Sequence, residues 1–249
     1  MGESTALLIV EAMRPRQWIK NLLIFAGLLF ARRFVSPLDV MTVCAAFVIF
    51  CAISGTIYIL NDIADVDEDK CHEIKKRRPI ASGRLKSSTA GTVAAFIIIS
   101  SLVAAFLLGT QFGVVSLAYF LLLFSYSFLL KHVVIVDVLV IAIGFVLRAV
   151  AGGVAIGVEI SPWLLICTIL LALFLALSKR RHELVLLEGE AAQHRPILEE
   201  YSTYLLDQMI AVVTSSTLMA YVLYTLSPPC SFPTGRCWPM SCFGLHRWD

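Results

Sequence analysis

The sequence predicts an all-α fold, a multi-pass transmembrane bundle of about seven helices. First, 59% of its 249 residues are hydrophobic, where a soluble domain averages roughly 45–50%. Second, charged residues make up only 15% of the chain and fall into clusters separated by long apolar runs. Third, most of these runs approach the roughly 20 residues that a helix needs to cross the hydrocarbon layer. One soluble core would not need several such runs, so we expect an integral membrane protein.

Seven apolar runs are the candidate spans, and the first is the shortest. In order they are Trp18–Ala31, Val40–Leu60, Thr89–Gly109, Val114–Leu130, Val133–Ile156, Trp163–Ser178 and Leu206–Leu226. The first run has no convincing small-residue cleavage site after it, which favours an uncleaved helix over a signal peptide. In the fifth run, the Gly153-x-x-x-Gly157 pattern has two interpretations: a close approach by another helix, or glycines that a membrane helix tolerates.

Lys and Arg residues lie on one side of the predicted bundle. They precede the first span, fill the segment Asn61–Ser88, follow the fourth span at Lys131 and follow the sixth at Lys179–Arg181. The pair Arg32-Arg33 is the exception. Positive residues near helix ends favour the cytoplasm. We therefore expect a multi-pass protein of the cell membrane, inner or plasma, whose charged side faces the cytoplasm.

An acidic motif, Asn-Asp-Ile-Ala-Asp-Val-Asp-Glu-Asp, ends the second predicted span at residues 61–69. If the helix continues past the membrane, Asn61, Asp65 and Asp69 are spaced four residues apart and share one face. Like charges at this spacing repel, and a divalent cation would remove the repulsion. Mg²⁺ prefers oxygen ligands and takes one or two carboxylates together with substrate phosphates. The motif predicts a Mg²⁺ site on Asn61, Asp65 and Asp69, with Asp62 as a further catalytic candidate; the alternative is a solvated acidic helix end.

A basic, turn-rich loop follows the acidic motif. Pro79 and Gly83 indicate a loop rather than a helix, and Lys75 and Arg78 are candidates to hold phosphate oxygens. Carboxylates that hold a metal beside cations that hold phosphates are the parts of a diphosphate site. An ordinary positive-inside loop is the alternative explanation for the basic residues.

Further charged residues are candidates for the same site. They are Arg14 and Lys20 near the start of the first span, Lys131, Asp137 and Arg148 around the fifth, and Lys179, Arg180 and Glu183 after the sixth. Ionisable groups at membrane depth are costly and usually face a cavity or a partner. Asp137 therefore either contributes to the site or pairs with Lys131, and Arg148 belongs to a site or a buried pair. The group after the sixth span is either a plain cytoplasmic helix end or a second arm of the site.

Taken together, these residues resemble the UbiA-type intramembrane prenyltransferase superfamily. Its motif N-D-x-x-D-x-x-x-D is present as Asn61–Asp69, and its R-P-[IL]-A-x-G segment as Arg78–Gly83. Within the superfamily, the chain is most similar to the branch that transfers phosphoribosyl groups to polyprenyl phosphates. The segments that carry this similarity are Arg14–Asn21, Leu130–His132, Leu147–Gly153, Lys179-Arg180 with Glu183-Leu184, and Tyr201–Leu205.

The resemblance implies a Mg²⁺-dependent enzyme that joins 5-phosphoribosyl diphosphate to a polyprenyl phosphate, such as decaprenyl phosphate, and releases diphosphate. It further implies a role in making arabinose donors for cell-wall polysaccharide, with the lipid bilayer as surroundings and no nucleic acid as partner. The second Asp-rich motif of the superfamily is replaced here by Lys179–Glu183, which fits two anionic substrates. Ordinary prenyl transfer to an aromatic or other small acceptor, and a non-enzymatic transporter, are the alternatives.

The transferase domain is expected to cover residues 1–227. Residues 228–249 contain four prolines, three cysteines and two tryptophans without a helical period, and we expect an irregular tail that is disordered or out of frame. The superfamily has about nine membrane helices, so about seven here indicate a chain truncated at its C-terminus.

Overall fold

The computed structural model describes residues 4–128, 135–186 and 202–226, which form helices and loops. They divide into two compact units, Met1–Ile160 and Ser161–Asp249. The α-helices of the first unit are α1 (Thr5–Ala12), α2 (Ala26–Phe30), α3 (Pro37–Ala64), α4 (Val66–Cys71), α5 (Ser87–Leu108), α6 (Thr110–Phe128) and α7 (Val136–Ala155). Those of the second are α8 (Pro162–Leu186) and α9 (Thr203–Leu226). Lys131 and the predicted tail, residues 228–249, lie outside the described residues.

Six of the described helices, α3 and α5 to α9, are long and apolar enough to cross a membrane. They correspond to the last six predicted spans, so the predicted all-α membrane bundle is confirmed. The structure extends α3 beyond the predicted run at both ends. Ser36 begins it, because its side chain accepts a hydrogen bond from the Asp39 N–H and Pro37 occupies the first turn.

The first predicted span differs from the expected α-helix. It is a 3-10 helix, Pro15–Phe25, followed directly by the short α2. A 3-10 helix has three residues per turn, and the best-buried side of this segment has the same period: Trp18, Asn21, Ile24 and Gly27. The wider 3-10 rise lets the combined segment reach about 30 Å, which is the thickness of the hydrocarbon layer.

Glycines let this first segment lie against α7. A Cβ added to Gly27 would be 2.9 Å from the backbone nitrogen of Gly153, and one added to Gly152 would collide with the carbonyl of Ile24. Gly153 therefore takes part in a close backbone approach, as one interpretation of the Gly153-x-x-x-Gly157 pattern expected. Gly157 has no such role, because it follows the end of α7 in a left-handed conformation with φ +62°.

α3 forms the centre of the first unit, packing against the 3-10 helix, α5, α6 and α7. Its middle joins a core that includes Phe50, Phe112 and Tyr119. Near its C-terminal end, a second apolar cluster holds α1 and the basic loop against α3 and α5, through Leu8, Ile59, Ile80, Leu85 and Ala90. This second cluster positions the charged residues described next.

In the second unit, α8 and α9 pack against each other. Arg181 near the end of α8 forms an ion pair with Asp207 in the first turns of α9. The sequence gives no periodic signal for this pair, because Arg181 follows the sixth predicted span and Asp207 lies in the seventh, 26 residues later.

Candidate active site

The acidic motif spans a break between two helices. α3 ends at Ala64, Asp65 has φ −95° and ψ 14°, and α4 begins at Val66. The backbone N–H groups of Asp65 and Asp69 still donate to the carbonyls of Asn61 and Asp65, at 2.9 and 2.8 Å. The chain therefore keeps its helical hydrogen bonds through Asp65.

Asp62 and Asp69 are the two buried carboxylates of the motif, with side chains 2% exposed. Arg78 joins them: its Nη1 donates to Asp62 Oδ1 at 3.1 Å and to Asp69 Oδ2 at 2.5 Å. Arg14 donates to the same Asp62 oxygen. Two carboxylates and two guanidinium groups thus form one balanced ion cluster, where unpaired buried charges would be strongly unfavourable.

The backbone fixes both arginines. Arg14 lies between α1 and the 3-10 helix with φ +53°, a conformation uncommon outside glycine. Its guanidinium lies 5.0 Å from the ring centroid of Tyr58, one turn before Asp62 on α3. Arg78 precedes Pro79, and the loop closes through a 2.9 Å hydrogen bond from the Leu85 N–H to the Pro79 carbonyl.

A cavity of about 300 Å³ opens beside this cluster. Its walls carry four cationic side chains and two acidic ones, together with Ala12, Ile74 and Pro79; the charged residues are Arg14, Lys75, Arg77, Arg78, Glu11 and Asp62. Arg84 pairs with Glu11 at 2.9 Å and also donates to the Arg77 carbonyl, so it ties α1 to the basic loop. The cavity is positive, and its cations could hold phosphate oxygens.

The predicted Mg²⁺ ligands Asn61, Asp65 and Asp69 make different contacts. Asn61 Nδ2 donates to Asp65 Oδ2 at 2.8 Å, whereas Asp69 shares Arg78 with Asp62. The spacing of seven residues, nearly two helical turns, brings Asp62 and Asp69 to the same side of the helix. Within the described part of the chain, no three acidic, His or Cys side chains are grouped closely enough to hold a metal ion. Asp62 is therefore the carboxylate that shares Arg78 with Asp69, and the Mg²⁺ ligand set Asn61, Asp65 and Asp69 stays a prediction.

A second polar cluster lies deeper in the first unit, around Arg148 of α7. Arg148 is 7% exposed. Its Nε donates to Asn21 Oδ1 at 2.8 Å and its Nη2 to the Tyr119 hydroxyl at 2.5 Å. Among the described residues it has no carboxylate partner. The sequence predicts that Arg148 belongs to a binding site or a buried ion pair. In the structure, its described hydrogen-bond partners are neutral side chains.

The remaining predicted residues are spread over both units. Lys20 is exposed on the 3-10 helix, and Asp137 is fully buried in the first turn of α7. In the second unit, Arg180 is buried and donates to Glu183 Oε2 at 2.6 Å, and Lys179 Nζ lies 3.7 Å from Glu183 Oε1. Glu183 thus joins the two basic residues at the end of α8.

Sequence reasoning missed several polar and aromatic partners, namely Asn21, Tyr58 and Tyr119. One signal was available: Tyr58, Ser54 and Cys51 precede Asp62 by four, eight and eleven residues, which puts them on one face of a helix. No comparable signal links Asn21 or Tyr119 to Arg148, since these contacts cross 127 and 29 residues of chain.

The membrane-length helices and the charged cavity define an integral membrane protein equipped to bind an anionic ligand. Comparison with known proteins gives the family. The profile of the UbiA prenyltransferase family matches residues 21–245, and the chain belongs to that family.

Similar proteins include decaprenyl-phosphate phosphoribosyltransferases. That of Mycolicibacterium smegmatis is 36% identical over 223 residues, which are 88% of this chain and 70% of that protein. That of Mycobacterium tuberculosis is 34% identical over 220 residues, 87% of this chain and 73% of that protein. That of Corynebacterium glutamicum is 36% identical over 87% of this chain and 66% of its own length.

Solved structures share the fold. A UbiA homologue from Archaeoglobus fulgidus bound to GPP and Mg²⁺ superposes with a TM-score of 0.71 at 17% identity, covering 89% of this chain and 79% of the other. A digeranylgeranylglyceryl phosphate synthase gives a TM-score of 0.69 at 18% identity, with 90% and 80% coverage. At these identities the similarity concerns the fold.

Proposed function

We propose that the protein transfers the 5-phosphoribosyl group from phosphoribosyl diphosphate to a polyprenyl phosphate, such as decaprenyl phosphate. The products are a polyprenyl-phosphoryl phosphoribose and diphosphate. The lipid product would serve as a precursor of arabinose donors for cell-wall polysaccharide. The observation that carries the proposal is the positive cavity beside Asp62 and Asp69, in a chain 34–36% identical to the named phosphoribosyltransferases.

The charge of the cavity supports two phosphorylated substrates. Asp62 and Asp69 already have their counter-ions in Arg14 and Arg78, and the lining adds Lys75 and Arg77. An incoming phosphate group can take over guanidinium hydrogen bonds from the carboxylates. At the end of α8, Lys179 and Arg180 add cations where the superfamily pattern has acids, and we assign them to the same anionic substrates.

The reaction needs no general base. A phosphate oxygen of the lipid, ionised at neutral pH, attacks C1 of the ribose. The bond from C1 to the diphosphate oxygen breaks, and diphosphate leaves with the bonding electron pair. Positive charge develops on the sugar in an oxocarbenium-like transition state, by analogy with glycosyl transfer. Arg14, Lys75 and Arg78 orient the two phosphates and offset their repulsion.

Mg²⁺ is proposed as the cofactor, and the oxygen donors of the acidic motif fit it. Asp62 lines the cavity and shares Arg78 with Asp69, and Asp65 with the Asn61 carbonyl oxygen adds further hard donors. Bound there, Mg²⁺ would neutralise charge on the leaving diphosphate. We further propose that the site faces the cytoplasm of the cell membrane, because Arg14 and the basic loop lie at this end of α3.

The test uses membranes that contain the full chain. Radiolabelled phosphoribosyl diphosphate and decaprenyl phosphate are supplied with Mg²⁺, and the lipid fraction is analysed for label. A parallel reaction supplies a prenyl diphosphate and an aromatic acid. We expect labelled lipid in the first reaction only. Product in the second alone would replace the proposal with ordinary prenyl transfer, and label crossing sealed vesicles without lipid product would favour a transporter.

A matched pair of variants links the activity to the site. Asp62→Asn removes a buried carboxylate that binds two arginines, whereas Asp67→Asn changes a side chain that is 89% exposed in the same motif. We expect Asp62→Asn to lower turnover at least about a hundredfold and Asp67→Asn to leave it within about twofold. Equal activity in both variants at every Mg²⁺ concentration would exclude this cluster as the active site.

A further inference from the structure

Arg148 is a buried charge without a buried counter-charge among the described residues. The guanidinium is flanked by Tyr119 and Phe145, whose ring centroids are 4.9 and 5.1 Å away. Its hydrogen-bond partners, Asn21 and Tyr119, are neutral. A buried charge is unfavourable unless it is paired, and ionisable groups inside membrane helices mark binding sites or transport paths. None of the described groups in contact with Arg148 is an anion.

The surroundings orient the guanidinium and leave part of it available. Asn21 Nδ2 donates to Ser54 Oγ at 3.1 Å and contacts Cys51 Sγ at 3.3 Å, so its carbonyl oxygen is turned towards Arg148 Nε. Arg148 Nη2 is bound by Tyr119. The Nη1 group has no hydrogen-bond partner among the described residues, and it faces Gly144, where an added Cβ would be 3.5 Å away. Glycine at that position leaves space beside the free donors.

Another polar group on the same side of α6 is also unsatisfied. Ser116 lies one turn from Tyr119, is fully buried, and its hydroxyl has no partner within the described part of the chain. Buried hydroxyl groups nearly always have a hydrogen-bond partner. An anion with several oxygen atoms would use donors of this kind.

The Arg148 cluster lies nearer the middle of α3 than the Asp62 cluster, on the same face of the helix. Ser54 is two turns before Asp62, about 12 Å along the helix axis. The 3-10 helix gives a similar figure, because Asn21 follows Arg14 by about 14 Å at the 3-10 rise. Tyr58, which contacts Arg14, lies between the two levels. The two clusters therefore lie about two turns apart along α3, with Tyr58 at a level between them.

We infer that Arg148, with Asn21 and Tyr119, is a second anion subsite that binds a phosphate monoester. This inference rests on the proposed function, in which both substrates carry such a group: the 5-phosphate of the donor and the phosphate of the lipid. The diphosphate end of the donor occupies the Arg14–Asp62–Arg78 level, and the monoester occupies the deeper level. A prenyl diphosphate has only hydrocarbon to offer there, so the subsite also selects against ordinary prenyl donors.

Binding to the purified full-length chain in detergent tests the subsite without requiring turnover. The probes are inorganic diphosphate, ribose 5-phosphate and farnesyl phosphate, each measured by titration calorimetry with Mg²⁺. The variants are Arg148→Gln and Tyr119→Phe, with Arg33→Gln as the control, because Arg33 is an exposed arginine paired with Asp39. Arg148→Lys tests whether the charge alone is sufficient.

We expect Arg148→Gln to weaken one monoester about ten- to a hundredfold and to change diphosphate affinity less than about twofold. Loss for ribose 5-phosphate assigns the subsite to the donor, and loss for farnesyl phosphate assigns it to the lipid. Tyr119→Phe should give a smaller loss for the same probe and also serves if Arg148→Gln does not fold. Equal weakening of diphosphate and monoesters, or no weakening of either monoester, would overturn the inference. Failure of the lipid-labelling assay with intact monoester binding would instead remove the proposed reaction.

Discussion

Arg78 is the residue on which the two buried carboxylates depend. Asp62 and Asp69 both accept from its Nη1 group, and only Asp62 has a second arginine. Without Arg78, Asp69 would be a buried carboxylate facing a second one. Arg78 therefore has a structural role in addition to the substrate binding that we propose for it, and the two roles are separable by experiment.

The stability role predicts a large effect and a specific rescue. Arg78→Leu should lower the free energy of unfolding by roughly 3–5 kcal/mol, because it leaves a buried carboxylate without its partner. Arg78→Leu combined with Asp69→Asn should recover part of that loss, since the stranded charge is removed. Thermal unfolding in detergent measures both, with Lys76→Gln as a control at an exposed loop position. Strictly additive effects would show that Arg78 and Asp69 are not coupled.

Lys179 gives a contrasting prediction, because its side chain is 68% exposed. Lys179→Ala should slow phosphoribosyl transfer about tenfold or more through loss of a charge-assisted contact to phosphate, with an unchanged unfolding temperature. His182→Ala, at an exposed position one turn away, is the control. Wild-type turnover in the Lys179 variant would leave the end of α8 as a plain cytoplasmic helix end.

At the residue scale, the charged groups were predictable and their pairing was not. The motifs single out Arg14, Asp62, Asp69 and Arg78 because charge is rare in this chain. The prediction that Asp65 accompanies Asp69 assumed a continuous helix. Asp62 and Asp69, seven residues apart, also share one side of a helix, but nothing in the motif indicates that both accept from Arg78.

At the scale of elements, the contact between the first segment and α7 depends on glycine residues, which have no side chain to keep the two backbones apart. Gly152→Ala would place a methyl group against the Ile24 carbonyl, a backbone atom that cannot rotate away. We expect a loss of about 3 kcal/mol or more, at the upper end of the range for overpacking. Thermal unfolding of the purified variant measures it.

Gly91 of α5 is the matched control. A Cβ there would lie 3.8 Å from Ile63 Cδ1, which is ordinary contact. Gly91→Ala should therefore stabilise the helix by about 0.5–1 kcal/mol. If both glycine variants behave alike, the close approach at Gly152 does not determine the packing of α7.

The 3-10 helix could not be predicted from hydropathy. A hydropathy window sees apolar length, and by that measure residues 18–31 are a short α-helical span. The buried positions recur every three residues in the sequence. Because Asn21 and Gly27 are not hydrophobic, a search for hydrophobic periodicity does not find this pattern. Asn21 is buried because α3 and Arg148 supply its hydrogen bonds, and those partners are distant in the sequence.

At the scale of the whole molecule, the alternation of spans predicts which loops share a side. In a chain without its native cysteines, single cysteines at Ser82 and His182 should react with a membrane-impermeant maleimide only from the cytoplasm. A cysteine at Glu159, in the connection between α7 and α8, should react only from outside. Labelling of Ser82→Cys and His182→Cys from opposite sides of the membrane would contradict the predicted alternation of spans.

The global architecture was the most predictable level. Length and apolarity alone identify six of the described helices, because a bilayer admits few alternatives to helices with internally satisfied backbones. The lining of the cavity was less predictable, since it depends on α1 and the basic loop folding back onto α3 through Leu8, Ile80 and Leu85. These three residues look unremarkable in a sequence this apolar.

The 3-10 conformation of the first segment predicts that the activity of the protein depends on membrane thickness. An α-helix that is too short for its bilayer can lengthen by adopting 3-10 turns. Residues 15–25 are already a 3-10 helix, so this segment cannot lengthen further in that way. In a thicker membrane the mismatch must be met by pulling Arg14 and Asn21 away from their partners or by thinning the lipid. Reconstitution in lipids of increasing acyl length should therefore show activity falling beyond a sharp threshold, and a Leu22→Ala variant, altered only on the lipid-exposed side, should keep the same threshold.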